Sequence, residues 1–217
     1  MTSKLWVDHF TYEKAKQGID DSLRKLGLDY LDPLPCSTQP YGDVAGAWRA
    51  LEEAQQAGKI RSIGVSNFAP DQLINLELMS NVKPAVNQIE VSPWYQEKDE
   101  VRFAQEQDVQ VEAWAPFAEG KHHIFTDPTI AAIGEKYGKT NGQVILRWLL
   151  QRGIVAIPKS VHKERMAENF DVFDFELSDE DMATMASLDK HESQFFDHRD
   201  PTAIVSIFGQ SLRALRS

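Results

Sequence analysis

Alternation is the feature that most limits how this chain can fold. Short apolar runs at 3–7, 28–32, 60–65, 84–91, 109–115 and 154–158 take turns with longer amphipathic segments. Within the runs the apolar residues are largely continuous, the pattern of strands buried on both faces. Such strands belong to a parallel sheet covered by helices. The segments between them carry helical periodicity. Ala15, Ile19, Leu23 and Leu26 share one face of 12–26, and Val44, Ala47, Leu51 and Ala54 share one face of 43–57. Gly58 marks the end of the second helix, and Pro70 opens a third over 70–79. A fourth is expected over 98–107, and a fifth begins at Asp127-Pro128. Thr140 and Gln143 have capping-box spacing and start a sixth, through Arg152-Gly153. Ser178, followed by Asp179, Glu180 and Asp181, starts a last helix with acids at the positive end of its dipole.

Six strands in this alternation fit either a doubly wound sheet or a barrel. No G-x-G-x-x-G follows any of them, which removes the usual dinucleotide-fold signal and favours the barrel. A (β/α)8 barrel has eight strand–helix units and about 250 residues. The chain is therefore read as one α/β domain over 1–217: an incomplete TIM barrel lacking the first two units, with strands 3 to 8 present. Open edges at strands 3 and 8 would favour association with another chain.

One stretch breaks the pattern. LDYLDPLPCSTQPYGDV, residues 28–44, begins as a strand and then meets Pro33, Pro35 and Pro40. A central strand does not tolerate this, because each proline removes a ladder donor.

The formal net charge of −10, spread over both signs, argues against nucleic acid or an anionic membrane as partner. Cys36 is the one cysteine, so no internal disulfide forms, which fits a cytoplasmic location. No apolar run approaches the roughly 18 residues of a membrane span. The start, MTSKLWVDHF, lacks a signal-peptide pattern. No metal-ligand spacing such as His-x-x-x-His is present.

The segments GKIRSIGVSNF (58–68), PAVNQIEVSPW (84–94), EAWAPFAEGK (112–121), IPKSVHKERMAENF (157–170) and ESQFFDHRDP (192–201) follow one another in this order. With them the chain resembles the aldo-keto reductases, NADPH-dependent carbonyl reductases on a (β/α)8 barrel. The last two segments point to the bacterial and fungal 2,5-diketogluconate-reductase-like branch. The resemblance implies an oxidoreductase that uses NADPH and acts on a small carbonyl substrate. Phe195 to Pro201 hint at a small polar dicarbonyl or a sugar-derived ketone.

It also implies a set of cofactor residues. Ser66, Asn67 and Gln88 would bond the nicotinamide carboxamide, although Ser66-Asn67 also reads as a plain turn before a helix. Trp114 would stack on the nicotinamide ring; its other reading is a core tryptophan. Phe117 and Glu119 lie on the loop that covers the pyrophosphate in relatives. Lys159, Ser160 and Arg165 follow the last strand and open a short helix, where amides and cations suit a 2′-phosphate and favour NADP over NAD. The alternative there is a solvated basic patch. Glu168 and Asn169 would contact the adenine.

The family's catalytic set is a tyrosine acid, a lysine, an aspartate and a histidine. Lys4 matches the lysine and Trp6 a substrate-pocket aromatic; Lys4 otherwise reads as an exposed strand-end residue. The aspartate and tyrosine would belong to a strand-2 motif that these residues do not contain. The histidine is expected within a segment like DLYLLHQPYGD, where this chain has Thr38 in a stretch one residue longer. A frameshift inside 33–38 accounts for the change: for one choice of codons, removing three bases restores Asp-Leu-Tyr-Leu-Leu-His-Gln. His9, His122 and His123 read as loop residues rather than substitutes. The incomplete set puts activity of the chain as given in doubt. The alternatives are a non-catalytic NADPH-binding remnant, or a gene-model or frameshift artefact of a full-length reductase.

Overall fold

The computed structural model describes residues 4–31, 34–36 and 42–213, with backbone alone for Leu34–Cys36 and Leu212. The chain forms two compact units. The first comprises Met1–Gln88, Glu100–Gln110 and Phe196–Ser217; the second comprises Ile89–Asp99 and Val111–Phe195.

In the first unit, helix α1 (Tyr12–Leu26) begins at Thr11, whose hydroxyl accepts from Lys14 N at 3.3 Å. It ends at Gly27, whose φ of 63° is the left-handed cap that glycine adopts without strain. Helix α2 (Val44–Gln56) starts at Asp43, which accepts from Gly46 N at 2.7 Å. Between the helices runs β1 (Leu34–Cys36), and after them β2 (Ile63–Ser66), α3 (Pro70–Met79) and the first three residues of β3 (Val86–Glu90), whose Ile89 and Glu90 belong to the second unit. The pairing is parallel, Pro35 beside Gly64 and Gly64 beside Val86. Gly64 has to be glycine, because a Cβ there would lie 2.6 Å from Val86 O. Every residue of β2 is buried, so both sheet faces must be covered. Phe10, Ile19, Trp48, Leu51, Ile60 and Ile63 form the apolar core that does so.

Two expected strands differ. Among the described residues, the run at 3–7 makes only a single bridge at Leu5 and then turns into a 3₁₀ helix, Val7–His9. Val7 is fully buried against Ile204 and Phe208, which draws the chain out of strand geometry. The run at 28–32 makes, among its described residues, only the Leu31–Ile60 bridge, and a strand is found instead at Leu34–Cys36, in the proline-rich stretch. Pro35 is tolerated because β1 stands at the end of the strand order. Residues 32, 33 and 37–41, with Thr38 among them, lie outside the described residues.

The sequence reading did not anticipate α9 (Pro201–Arg213). Its signals are a proline at the first position and the i, i+4 pair Ile204 and Phe208, both buried. Most of α4 (Lys98–Glu106) also belongs to this unit.

In the second unit, β4 (Gln110–Trp114) pairs in parallel with β5 (Val155–Ala156), Glu112 beside Val155. Helix α5 (Pro128–Tyr137) is capped by Asp127, which accepts from Thr129 N and Ile130 N at 3.0 Å. Helix α6 (Asn141–Gln151) has the expected capping box: Gln143 N donates to Thr140 Oγ1 at 3.3 Å, and Thr140 N to Gln143 Oε1 at 3.1 Å. Helices α7 (Lys163–Phe170) and α8 (Asp179–Ser187) follow. Asp181, in the first turn of α8, is almost fully buried and accepts from Lys136 Nζ and Tyr137 Oη, both at 2.6 Å, and from Ser178 Oγ at 2.8 Å. Burial pushes its carboxyl up, but the Lys136, Tyr137 and Ser178 bonds outweigh this and hold it down at about 2. No helix among the described residues is long and apolar enough to cross a membrane.

Asp181 therefore stabilises the fold only while ionised. Its contribution is complete above the ordinary carboxyl value of 3.8 and is lost as pH falls towards about 2. Asp181→Ala removes the shared acceptor of Lys136, Tyr137 and Ser178 and is expected to cost about 1–3 kcal/mol near pH 7. Thermal melts from pH 7 to pH 2 should show the variant and wild type converging below pH 4. A gap that stays constant with pH contradicts this role.

Candidate functional site

The first unit gathers a polar cluster at the carboxyl ends of β2 and β3. Ser66, the last residue of β2, is fully buried, and its hydroxyl donates to Gln88 O at 3.0 Å. Asn67 N donates to the same carbonyl at 2.9 Å. Asn67 takes a left-handed φ of 56°, a conformation that asparagine tolerates better than most residues. Lys4 reaches this cluster: Nζ donates to Gln88 Oε1 at 2.6 Å and to Ser66 Oγ at 3.1 Å. The lysine and the three polar residues expected at the carboxamide are thus brought together. Trp6, half exposed, packs on Phe208 instead, with ring centroids 5.8 Å apart.

His198, from the ESQFFDHRDP segment, is a residue the sequence reading did not weigh. Its ring lies 4.3 Å from that of Phe196. Burial pushes the imidazole down to about 4, Asp197 opposes this and the Lys4 charge adds to it. His9 is engaged with Asp8 at 2.6 Å.

The second unit holds a cavity of about 550 Å³ at the start of α7. Lys159, Ser160, Arg165, Glu168 and Asn169 line it, all five expected from the sequence. Phe117 and Phe125 add apolar surface, their rings 5.3 Å apart. Glu168 is fixed by Thr140 Oγ1, which donates to it at 2.5 Å. Lys159 and Arg165 make no ion pair among the described residues. Two cations beside amides at a helix start make a site for an anion. Among the described residues no cluster of His, Cys, Asp and Glu could hold a metal.

Trp114 ends β4 and packs against Phe195, with centroids 5.1 Å apart. Glu119 is exposed and is not among the residues lining the cavity. It belongs to the 3₁₀ segment Ala118–Thr126, where Ala118, Glu119, His122 and His123 all have φ between 46° and 55°. Each left-handed non-glycine residue costs on the order of 1 kcal/mol or more, so the loop has to be held in place by contacts.

A second polar feature escaped the sequence reading. Glu90, the last residue of β3, is only 3 % exposed. Its Oε2 accepts from Ser193 Oγ at 2.6 Å and its Oε1 from Gln194 N at 2.9 Å. Burial raises its carboxyl above the ordinary value, while the Ser193 and Gln194 bonds and the Lys121 charge oppose the rise. An acid inside an apolar strand run was the available signal.

A parallel α/β architecture with polar groups at strand ends, and a cavity with two cations after the last strand, is an arrangement shared by α/β proteins that bind phosphorylated ligands. The aldo/keto reductase family model matches residues 1–190, and the chain belongs to that family. It is 42% identical over 192 residues to glyoxal reductase of Bacillus subtilis, covering 88% of this chain and 69% of that protein. It is 42% identical over 202 residues to morphine 6-dehydrogenase of Pseudomonas putida, covering 87% of this chain and 68% of that one. The structure of Bombyx mori aldo-keto reductase in complex with NADP superposes with a TM-score of 0.84 at 35% identity, over 94% of this chain and 70% of that one.

The His198 environment makes a direct prediction. In a proton NMR titration its imidazole should titrate near pH 4, well below the ordinary 6.5. Because the unfolded chain takes up that proton first, stability should fall as pH drops from 6.5 towards 4. A His198 resonance titrating near 6.5 contradicts this placement.

Proposed function

We propose that the chain binds NADPH and is part of an NADP-dependent reductase of small aldehydes and ketones. On this reading it carries strands 3 to 8 of a (β/α)8 barrel, the two earlier units being absent from the residues given. The observation that supports it most is the cavity at the start of α7, where Lys159 and Arg165 make no ion pair among the described residues. A 2′-phosphate supplies an anion there. Apolar Phe117 and Phe125 suit the adenosine, as do Glu168 and Asn169 with their hydrogen-bonding groups. Ser66, Asn67 and Gln88 offer donors and acceptors for a carboxamide, Trp114 a flat wall for the ring, and Glu119 a place on the covering loop. The bound dinucleotide would supply the hydride. Morphine 6-dehydrogenase and glyoxal reductase among the relatives favour a carbonyl or secondary-alcohol substrate. A reducing compartment such as the cytoplasm suits a chain whose one cysteine is Cys36.

Of the proton-transfer set, Lys4 is the member carried over by the resemblance. Its role there is to lower the pKa of a tyrosine phenol, and Trp6 would border the substrate. With no matching tyrosine in the given residues, turnover should be lower by roughly 10²–10⁴-fold than in a form that has one. A second reading, a dinucleotide-binding chain without catalysis, is favoured by one observation: Lys4 is bonded to Ser66 and Gln88. A genomic sequence with an in-frame aspartate and tyrosine motif ahead of Met1 decides between these readings.

NADPH titration followed by tryptophan fluorescence tests the cofactor assignment. Quenching that saturates is expected. Arg165→Ala and Lys159→Ala should each weaken NADPH binding about 10–100-fold while changing NADH binding little. Equal weakening for both dinucleotides, or no effect of either substitution, refutes the assignment of a 2′-phosphate to this cavity.

A further inference from the structure

The ESQFFDHRDP segment is used by the proposed function only as a hint to substrate, yet residues 193–195 are bound on three sides within the second unit. Glu90 holds them from β3, through Ser193 Oγ at 2.6 Å and Gln194 N at 2.9 Å. Ser193 Oγ in turn accepts from Phe195 N at 3.1 Å, which sets the ring of Phe195 against Trp114 at the end of β4. The third side is the loop Ala118–Thr126. Lys121 Nζ donates to Gln194 O at 3.0 Å and lies 3.9 Å from the centroid of the Phe195 ring.

The two ends of that loop are secured elsewhere. Ala118 and Ile124 are buried, and Asn141 Nδ2 donates to Ile124 O at 3.0 Å. Between them, Glu119, His122 and His123 are exposed and left-handed, so the middle is strained and has little burial to hold it. Lys121 supplies the fastening there, and it fastens to residues whose own position is set by Glu90. A buried carboxylate is costly unless fully paired. Here both of its oxygens are spent on the same three-residue segment.

We propose that Glu90 is a positioning residue for dinucleotide release: its carboxylate anchors residues 193–195, and these fasten the covering loop through Lys121. The claim rests on the cofactor reading above for the identity of the ligand, but the mechanical link stands apart from it. Order matters in the link. Losing Glu90 frees both the tail segment and the loop, whereas losing Lys121 frees the loop alone.

The test compares Glu90→Gln, Ser193→Ala and Lys121→Met with the wild type by amide hydrogen exchange and by stopped-flow NADPH release. Ser193→Ala removes the hydroxyl that bonds Glu90 and Phe195 N but keeps the Glu90 side chain, which guards against a Glu90 variant that fails to fold. Glu90→Gln and Ser193→Ala should speed exchange in both 193–195 and 119–123. Lys121→Met should speed it only in 119–123, leaving the Gln194 and Phe195 amides protected. All three should release NADPH about five- to tenfold faster. Unchanged exchange at 119–123 in both Glu90→Gln and Ser193→Ala overturns the link. Unchanged release in variants whose loops do exchange faster overturns the role in release. If the wild type binds no NADPH, the cofactor reading and the release role fail together, and the exchange data alone judge the anchor.

Discussion

Parallel pairing of strands buried on both faces is the constraint on which the remaining structure depends. A strand such as Ile63–Ser66, with every residue buried, has no solvent side. Helices must cover it, and the crossovers that supply them return the chain to the same end of the next strand. Polar side chains then have one favourable location, the carboxyl end of each strand where the chain leaves the sheet. Ser66 ends β2 and Asn67 follows it, Glu90 ends β3 two residues after Gln88, Trp114 ends β4, and Lys159 lies shortly after β5. The candidate functional residues are set out by the strand pattern rather than by any local motif.

Placing polar groups at buried strand ends has a cost that the structure meets by pairing. Ser66 and Gln88 are buried yet bonded to each other and to Lys4. Glu90 is buried yet bonded through both oxygens. The same logic holds Asp181 of α8, which is bonded to Lys136 and Tyr137 of α5. Lys159 and Arg165 depart from it among the described residues, and two cations without an ion pair at a cavity are the arrangement expected where the partner is a ligand.

The helices other than α9 were legible because their signals are local. Asp127, Thr140 and Ser178 cap helices where the sequence starts them, and α1 spans Tyr12–Leu26 as its periodicity requires. The strands were legible except where tertiary packing overrides the pattern. Val7 is taken out of a strand by its burial against Ile204 and Phe208, and Pro35 is kept in one by its place at the end of the strand order. Of the site, the residues around the cavity could be named from one contiguous segment, 157–170, plus Phe117. Glu90 and His198 could not. Their environments are built by contacts roughly a hundred residues away for Glu90, and by burial for His198, and no window of sequence contains either.

On the proposed cofactor reading, the start of α7 takes a doubly phosphorylated adenosine. Isothermal calorimetry at low salt, comparing adenosine 2′,5′-bisphosphate with adenosine 5′-monophosphate, is the decisive measurement. The bisphosphate should bind at least about tenfold more tightly, with the advantage shrinking as ionic strength rises. Equal affinity for the two nucleotides, or no binding of either by the folded chain, would contradict it.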